Sequence, residues 1–287
     1  MSATLIIVIS VLFWLSAWYA NIYLSDLKVK NDASRLLINL AIPLLFGAAV
    51  LVLWEGFTQG FEVPTVLLPP PSMIAERIGN SLPTLWADFQ QTYLKAVLAG
   101  YVLGCGVGFT TAILVDRSPF LKSGIMPISN LVSALPIIGI APIMVMWFGF
   151  DWQSKAAVVA IMTFFPMLVN TVSGLSATGH MERDLMQTYA ANYLQSLLKL
   201  RLPAAMPFIF NALKINSTLA LIGAIVAEFF GTPIVGMGFR ISAEIGRLNV
   251  DMVWAVIVMA ALAGSISYGL LSVLERSVTF WHASNRR

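Results

Sequence analysis

This sequence predicts an all-α polytopic membrane protein with about seven transmembrane helices, on three observations. Of its 287 residues 58% are hydrophobic and only 11% charged, against roughly 25% charged in an ordinary soluble domain. The apolar residues fall in runs long enough to cross ~30 Å of hydrocarbon as helix. Charge gathers in the links between those runs. In lipid every backbone group must find its partner within the protein, and runs of this length do so as helices.

The first span runs from Thr4 to Leu24, inside an uncharged stretch covering residues 1–25. It lacks the basic start and the small-residue cleavage site of a secretory signal, so it reads as a retained anchor that adds hydrophobic mass. A link with Lys28, Lys30 and Arg35 leads to the second span, Leu36 to Trp54. Residues 55–91 then turn polar around Leu68-Pro69-Pro70-Pro71-Ser72. Three successive prolines cannot be helix interior, and Ser72 is expected to cap a short interfacial helix carrying Met73, Ile74, Ile78 and Leu82. The third span, Thr92 to Val115, spaces Gly100, Gly104 and Gly108 four apart on one face, which lets another helix backbone approach closely.

The fourth span, Gly124 to Phe148, is interrupted by Pro127, Pro136 and Pro142, with Gly139 between them. Proline leaves carbonyls without intrahelical partners, and in lipid these must face protein or a water-filled cavity. Either a cavity-lining bend or a kink fitted to neighbouring helices follows. The fifth span covers residues 156–175 with Pro166 and Asn170 inside it; the sixth runs from Phe208 to Phe230. Gly231 to Asp251 is too short and polar to span and reads as a turn with a short re-entrant or interfacial helix. Met252 to Val273 is the last span.

Between the fifth and sixth spans lies the segment Met181–Pro207, charged and amphipathic. Leu185, Met186, Tyr189, Tyr193, Leu197 and Leu198 recur at helical spacing, and Pro203 and Pro207 are expected to end the helix. Such a segment either covers the membrane-side core or docks into a partner's groove. The side of the membrane holding it also collects most basic link residues, among them Arg117, Lys122, Arg183, Lys199, Arg201, Arg286 and Arg287. The positive-inside bias therefore places it, and the C-terminus, in the cytosol.

Several function classes drop out. Cys105 is the single cysteine and lies in an apolar run, so there is no disulfide framework or thiolate cluster. The basic residues form no patch for nucleic acid. His180 and His282 stand apart, so neither a metal site nor a catalytic constellation is expected. No Gly-Lys dipeptide occurs, hence no Walker A loop, and the chain is expected to carry no cofactor of its own. Asn130, Ser133, Asn170, Ser217 and Glu228 are the candidate solute-pathway residues, since polar groups at membrane depth are functional hypotheses. The competing role is helix-to-helix bonding for the hydroxyls and amides, Asn216 included, and turn stabilisation for Glu228. Lys214 is expected to snorkel toward the cytosol. The spans' six aromatic Trp54, Trp86, Trp147, Trp152, Trp254 and Trp281 read as an interfacial belt.

The segment resembles the cytoplasmic coupling loop of binding-protein-dependent ABC importer permeases, whose pattern is Glu-Ala-Ala, three residues, Gly, nine residues, Ile, one residue, Leu-Pro. Registered on Leu202-Pro203, Leu200 takes the Ile position, Ala190 the Gly position and Asp184-Leu185-Met186 the Glu-Ala-Ala positions. The resemblance extends from about Leu67 to Trp281. It is similar to the nitrate, sulfonate and taurine branch through Leu-Pro-Pro-Pro-Ser, Leu135-Pro136-Ile137-Ile138-Gly139-Ile140-Ala141-Pro142, Trp147-Phe148-Gly149, Phe165-Pro166, Leu202 to Pro207 and Ala227-Glu228. Ala227 to Pro233 with Gly236-Met237-Gly238-Phe239-Arg240 looks closest to riboflavin or thiamine-pyrimidine uptake members.

Nothing before about residue 60 belongs to the resemblance, so residues 1–35 read as an extra N-terminal helix and cytoplasmic link; the expected permease domain is six-helix, 36–281, with its coupling loop at 176–207, followed by a cytoplasmic tail at 282–287. The resemblance implies an inner-membrane location, a second permease chain, an extracytoplasmic solute-binding protein, and a separate ATPase that binds ATP and Mg. Asp184 to Tyr193 would be the docking helix: Leu185, Met186 and Tyr189 give apolar contact, Asp184 and Gln187 polar fixing, and the small Ala190 a close seat. A secondary transporter, the alternative class, would call for ion-coupling groups and internal repeats.

Overall fold

The computed structural model describes residues 3–27, 31–133 and 136–281, without the side chains of 32, 33 and 130–133. Asn130 and Ser133 as candidate pathway side chains, Leu135 and the 282–287 tail thus lie outside the described residues. Every element is helical: α1 Ala3–Asp26, α2 Asp32–Gly60, α3 Pro71–Asn80, α4 Leu82–Arg117, α5 Pro119–Ser133, α6 Ile137–Phe148, α7 Trp152–Ser176, α8 His180–Thr188, α9 Tyr193–Glu228, α10 Met237–Gly246 and α11 Val250–Val278. Six of these, α1, α2, α4, α7, α9 and α11, are long and apolar enough to cross a membrane.

The predicted fourth span is two helices, α5 and α6, separated around Pro136. Pro136 caps α6 in extended conformation (ψ 123°), as the loss of its N–H and its fixed φ favour. The prolines at 127 and 142 are carried inside the helices.

The chain divides into two compact units. In the first, residues 1–82 with 243–255, α1 packs antiparallel on α2. Gly56 and Gly60, four apart, leave space on α2 for Ser10 and Ile7; a Cβ at Gly60 would lie 2.9 Å from Ile7 Cδ1. The helix after the proline run starts with Pro71 in its first turn, and Ser72 is not its cap. Instead Glu55 of α2 accepts the Ser72 N–H at 2.9 Å and the Ser72 hydroxyl at 2.6 Å, an anion at a helix N-terminus. Arg77 donates to Asp251 at 2.6 Å, fixing α3 to the start of α11.

The second unit, residues 83–242 with 256–287, is built on α7. α4 and α9 both lie along it. The glycine stripe makes the α4 contact: a Cβ on Gly108 would sit 2.6 Å from the Phe164 carbonyl oxygen and 3.0 Å from Met167 Cβ. Asn216 of α9 donates to the Thr163 carbonyl at 2.7 Å and to Cys105 Sγ at 3.2 Å, joining α9 to α7 and α4 at a fully buried point. Lys214, expected to snorkel, is instead held by Glu275 of α11 at 2.6 Å, beside the Tyr268 ring.

Candidate functional site

The amphipathic segment folds as two helices with a built corner. α8 begins where Glu182 reaches back to the Gly179 N–H at 3.2 Å and ends at Thr188. Ala190 N–H bonds the Gln187 carbonyl at 2.8 Å and Ala191 N–H the Met186 carbonyl at 3.0 Å. This pair of bonds is a Schellman cap, which needs a left-handed residue at the first position past the cap, and Ala190 has φ 51°. The glycine of the family pattern falls on that residue, so the position asks for a backbone conformation rather than for a close seat alone. Next, Asn192 starts α9 with a capping box: its Oδ1 accepts from Gln195 N–H at 2.8 Å, and Gln195 Oε1 from Asn192 N–H at 3.0 Å.

The expected continuous helix from Asp184 to Tyr193 is therefore interrupted at 189–192, and the expected stop at Pro203 does not occur. α9 runs through Pro203 and Pro207 to Glu228. A π-helical turn, Leu197–Arg201, precedes Pro203, and there the Leu202 N–H bonds the Leu197 carbonyl five residues back. The longer ladder step accommodates a residue that has no N–H.

The corner exposes an apolar stripe. No residue of α8 is buried. Met181, Leu185 and Tyr189, four apart and so on one face, are 85%, 56% and 76% exposed. Asp184 and Gln187 are exposed alongside them, whereas Met186 is half-buried and lines a cavity of about 490 Å³ behind the corner, with Asp116, Lys122, Arg183, Tyr193 and Arg201.

What holds the corner in place is polar. Arg183 donates to the Thr178 hydroxyl at 2.8 Å and the Ser176 carbonyl at 2.9 Å, folding α8 back on the end of α7. Arg201 grips Asp116 with two nitrogens, at 2.5 and 2.7 Å, and the Leu175 carbonyl at 3.0 and 3.1 Å. Tyr193 donates to the same Asp116 at 3.0 Å, with Arg117 5.8 Å from its ring centroid. Leu202 and Pro203 are half-buried at the root of this anchor. The sequence reading did not find Asp116 or Arg201, because 85 residues separate them and no local pattern links them. Asn192 and Gln195 did carry a local signal, the capping-box spacing ahead of an apolar run.

Among the described candidate pathway groups, two are engaged within their own helices and one across the fold. Asn170 donates to the Pro166 carbonyl at 2.8 Å and Ser217 to the Lys214 carbonyl at 2.7 Å, both within their own helices. Glu228, 3% exposed, is the last residue of α9, facing the turn that follows. Its carboxylate accepts the Thr92 hydroxyl at 2.7 Å and the Gly238 N–H at 2.6 Å. Thr92 accepts the Met237 N–H at 2.7 Å, and Asp88 the Gly236 N–H at 2.8 Å and Arg240 Nε at 2.8 Å. The otherwise orphaned donors at the start of α10 are thus satisfied by two carboxylates and a hydroxyl. Gly236 has φ 144°, and a Cβ there would lie 2.8 Å from the Glu228 carboxylate. Lys155, 1% exposed, closes the same turn by donating to the carbonyls of Phe150 (2.6 Å), Asp151 (3.2 Å) and Gly231.

Comparison with known proteins gives a consistent set of similarities. Residues 100–280 match the family described as binding-protein-dependent transport system inner membrane component. A protein of Haemophilus influenzae named as a probable ABC transporter permease is 31% identical over 84% of this chain and 98% of its own length. The formylaminopyrimidine transport permease of Halalkalibacterium halodurans is 29% identical over 83% and 95%, and the riboflavin transport system permease of Chloroflexus aurantiacus 29% over 82% and 88%. In fold, a chain of the inward-facing MetNI methionine ABC transporter superposes with a TM-score of 0.57 at 17% identity, covering 71% of this chain and 98% of that one.

Proposed function

This chain belongs to the family of binding-protein-dependent transport system inner membrane components, and we propose that it carries a small vitamin-like heteroaromatic, such as riboflavin or a thiamine pyrimidine precursor, into the cytoplasm. It is an ABC importer permease subunit, a membrane component of a system whose ATPase is a separate subunit. In our reading the α8 corner is the coupling loop. Met181, Leu185 and Tyr189 enter an apolar groove on the ATPase, Asp184 and Gln187 fix the orientation at its rim, and ATP and Mg bind on that partner. Two copies of the chain enclose the pathway, and a soluble binding protein delivers the solute from outside. Residues 36–281 form the permease domain and 1–35 an added helix.

The observation that carries the docking role is the unburied apolar stripe on a rigidly capped helix. A surface helix that merely covered the core would turn Leu185 and Tyr189 inward. The substrate reading rests on the relatives named for formylaminopyrimidine and riboflavin transport. Its test is uptake into vesicles carrying the permease with its ATPase and binding protein, using labelled riboflavin, thiamine pyrimidine precursor and taurine. Saturable ATP-dependent uptake of either heteroaromatic supports it, and uptake of taurine alone would reassign the cargo to the sulfonate class. Orientation is tested by reporters: a fusion after residue 190 reads cytoplasmic and one after residue 75 extracytoplasmic.

A further inference from the structure

α4 is secured at both ends by charged clusters that the docking surface does not use. At one end Asp116 holds Arg201 and Tyr193, which stand in the first turns of α9 immediately after the docking corner. At the other end, ~40 Å along the helix, Asp88 and Thr92 hold Gly236, Met237 and Arg240 at the start of α10, with Glu228 bonded to Thr92. Between the ends the Tyr101 hydroxyl donates to the Leu213 carbonyl at 3.0 Å, and the glycine stripe presses α4 on α7.

The covalent route from the corner to the far membrane face is α9 itself, and it begins with a flaw. The π-helical turn Leu197–Arg201 sits between the corner and the long apolar part of the helix, and such turns are weak points in an α-helical rod. Arg201, the last residue of that turn, is where the connection to α4 and to the Leu175 carbonyl of α7 is made. The ion pair bridges the soft turn and gives the corner a second connection to the opposite face along α4, which carries its own π-helical stretch, Gln90–Val97, at the end where Thr92 bonds Met237.

We propose that the Asp116–Arg201 pair, with Tyr193, is the joint through which movement of the coupling loop enters α4, and that α4 delivers it to the turn 229–238 through Thr92 and Asp88. Arg201 and Asp116 are positioning residues: they touch neither solute nor nucleotide and act through the helix they join. This rests on the reading of α8 as the ATPase-docking element, and the two fail in different ways.

The test is a double-mutant cycle on the complete transporter, comparing Asp116→Asn, Arg201→Gln and the double variant. The readouts are ATPase retention on purification and the number of ATP molecules hydrolysed per solute imported. The matched control is Lys214→Met/Glu275→Gln, which removes the ion pair between α9 and α11 away from this route. ATPase retention should stay at the wild-type level in all variants. Each single variant should raise the ATP-per-solute ratio at least about fivefold, the low end of energetic coupling between sites, the double variant should be no worse than the singles, and the control should leave the ratio unchanged. Should Arg201→Gln fail to accumulate, Tyr193→Phe removes one donor to Asp116 and keeps the ring; it should raise the ratio about twofold, since a neutral donor contributes less than a charged one. Ratios at the wild-type value, or a rise of equal size in the control, would overturn the joint. An ATPase absent from the wild-type complex would overturn the docking reading instead.

Discussion

Replacing Ala190 by glycine should stabilise the corner after α8, and the size follows from the backbone. Ala190 has φ 51°, left-handed, because the cap bonds from Ala190 and Ala191 to Gln187 and Met186 close only there. A residue with a Cβ in that region is strained by ~1–2 kcal/mol. Glycine removes the strain but gains ~0.5–1 kcal/mol of unfolded-chain entropy. The difference, ~0–1.5 kcal/mol in favour of the cap and about 0.75 at its midpoint, lowers the population of the opened corner about three- to fourfold. Ala190→Val adds a β-branched side chain in the same conformation and should act in the opposite direction, by ~2 kcal/mol. Hydrogen exchange of residues 186–195 in lipid nanodiscs measures both. Equal protection in wild-type, Ala190→Gly and Ala190→Val proteins would refute the conformational account of this position.

Three further outcomes follow from individual contacts. Lys155→Met leaves the carbonyls of Phe150, Asp151 and Gly231 without their shared donor, a loss of ~3 kcal/mol that should lower the detergent-solubilised melting temperature by roughly 5–10 °C. Gly108→Ile would drive a side chain into the Phe164 carbonyl, whereas Gly106→Ile on the same helix meets nothing within 4 Å; monodisperse protein on size exclusion should vanish for the first and persist for the second. Asp151 accepts from Trp152 N–H and Gln91 Nε2, which hold its carboxyl below the usual range. A depressed folded value gives stability that is present above the unfolded pKa of ~4 and is lost as pH falls through the folded value, so Asp151→Asn should flatten the melting curve's pH dependence below about pH 4.

The parts of this molecule that were legible in the sequence are those governed by local composition and spacing. Gly100, Gly104 and Gly108 could be placed on one face because helical periodicity is local, and the face does meet α7. The apolar stripe of Leu185 and Tyr189 was visible for the same reason. The prolines misled at two places for opposite causes. Pro136 separates two helices where one bent span was expected, while Pro203 is passed by a π-helical turn that composition does not announce. Ser72 has the identity of a cap, but the proline before it takes the first helical turn and a carboxylate on α2 does the capping. Glu228 stood out as an acid at membrane depth, yet its partners come from Thr92 and Gly238, the first 136 residues away. Long-range pairs of this kind, like Asp116 with Arg201, leave no mark on either neighbourhood and need the fold to be seen.

In the proposed function the exposed stripe of α8 is where the ATPase docks. The most direct test is co-purification of the co-expressed ATPase with wild-type permease and with Leu185→Asp and Tyr189→Asp, all inserted at equal abundance. Loss of an interface anchor costs ~2 kcal/mol or more, about thirtyfold in affinity. The wild-type chain should retain the ATPase, and both variants should lose it while remaining folded on size exclusion. Full retention by both variants would contradict docking there and leave α8 a surface helix without that role.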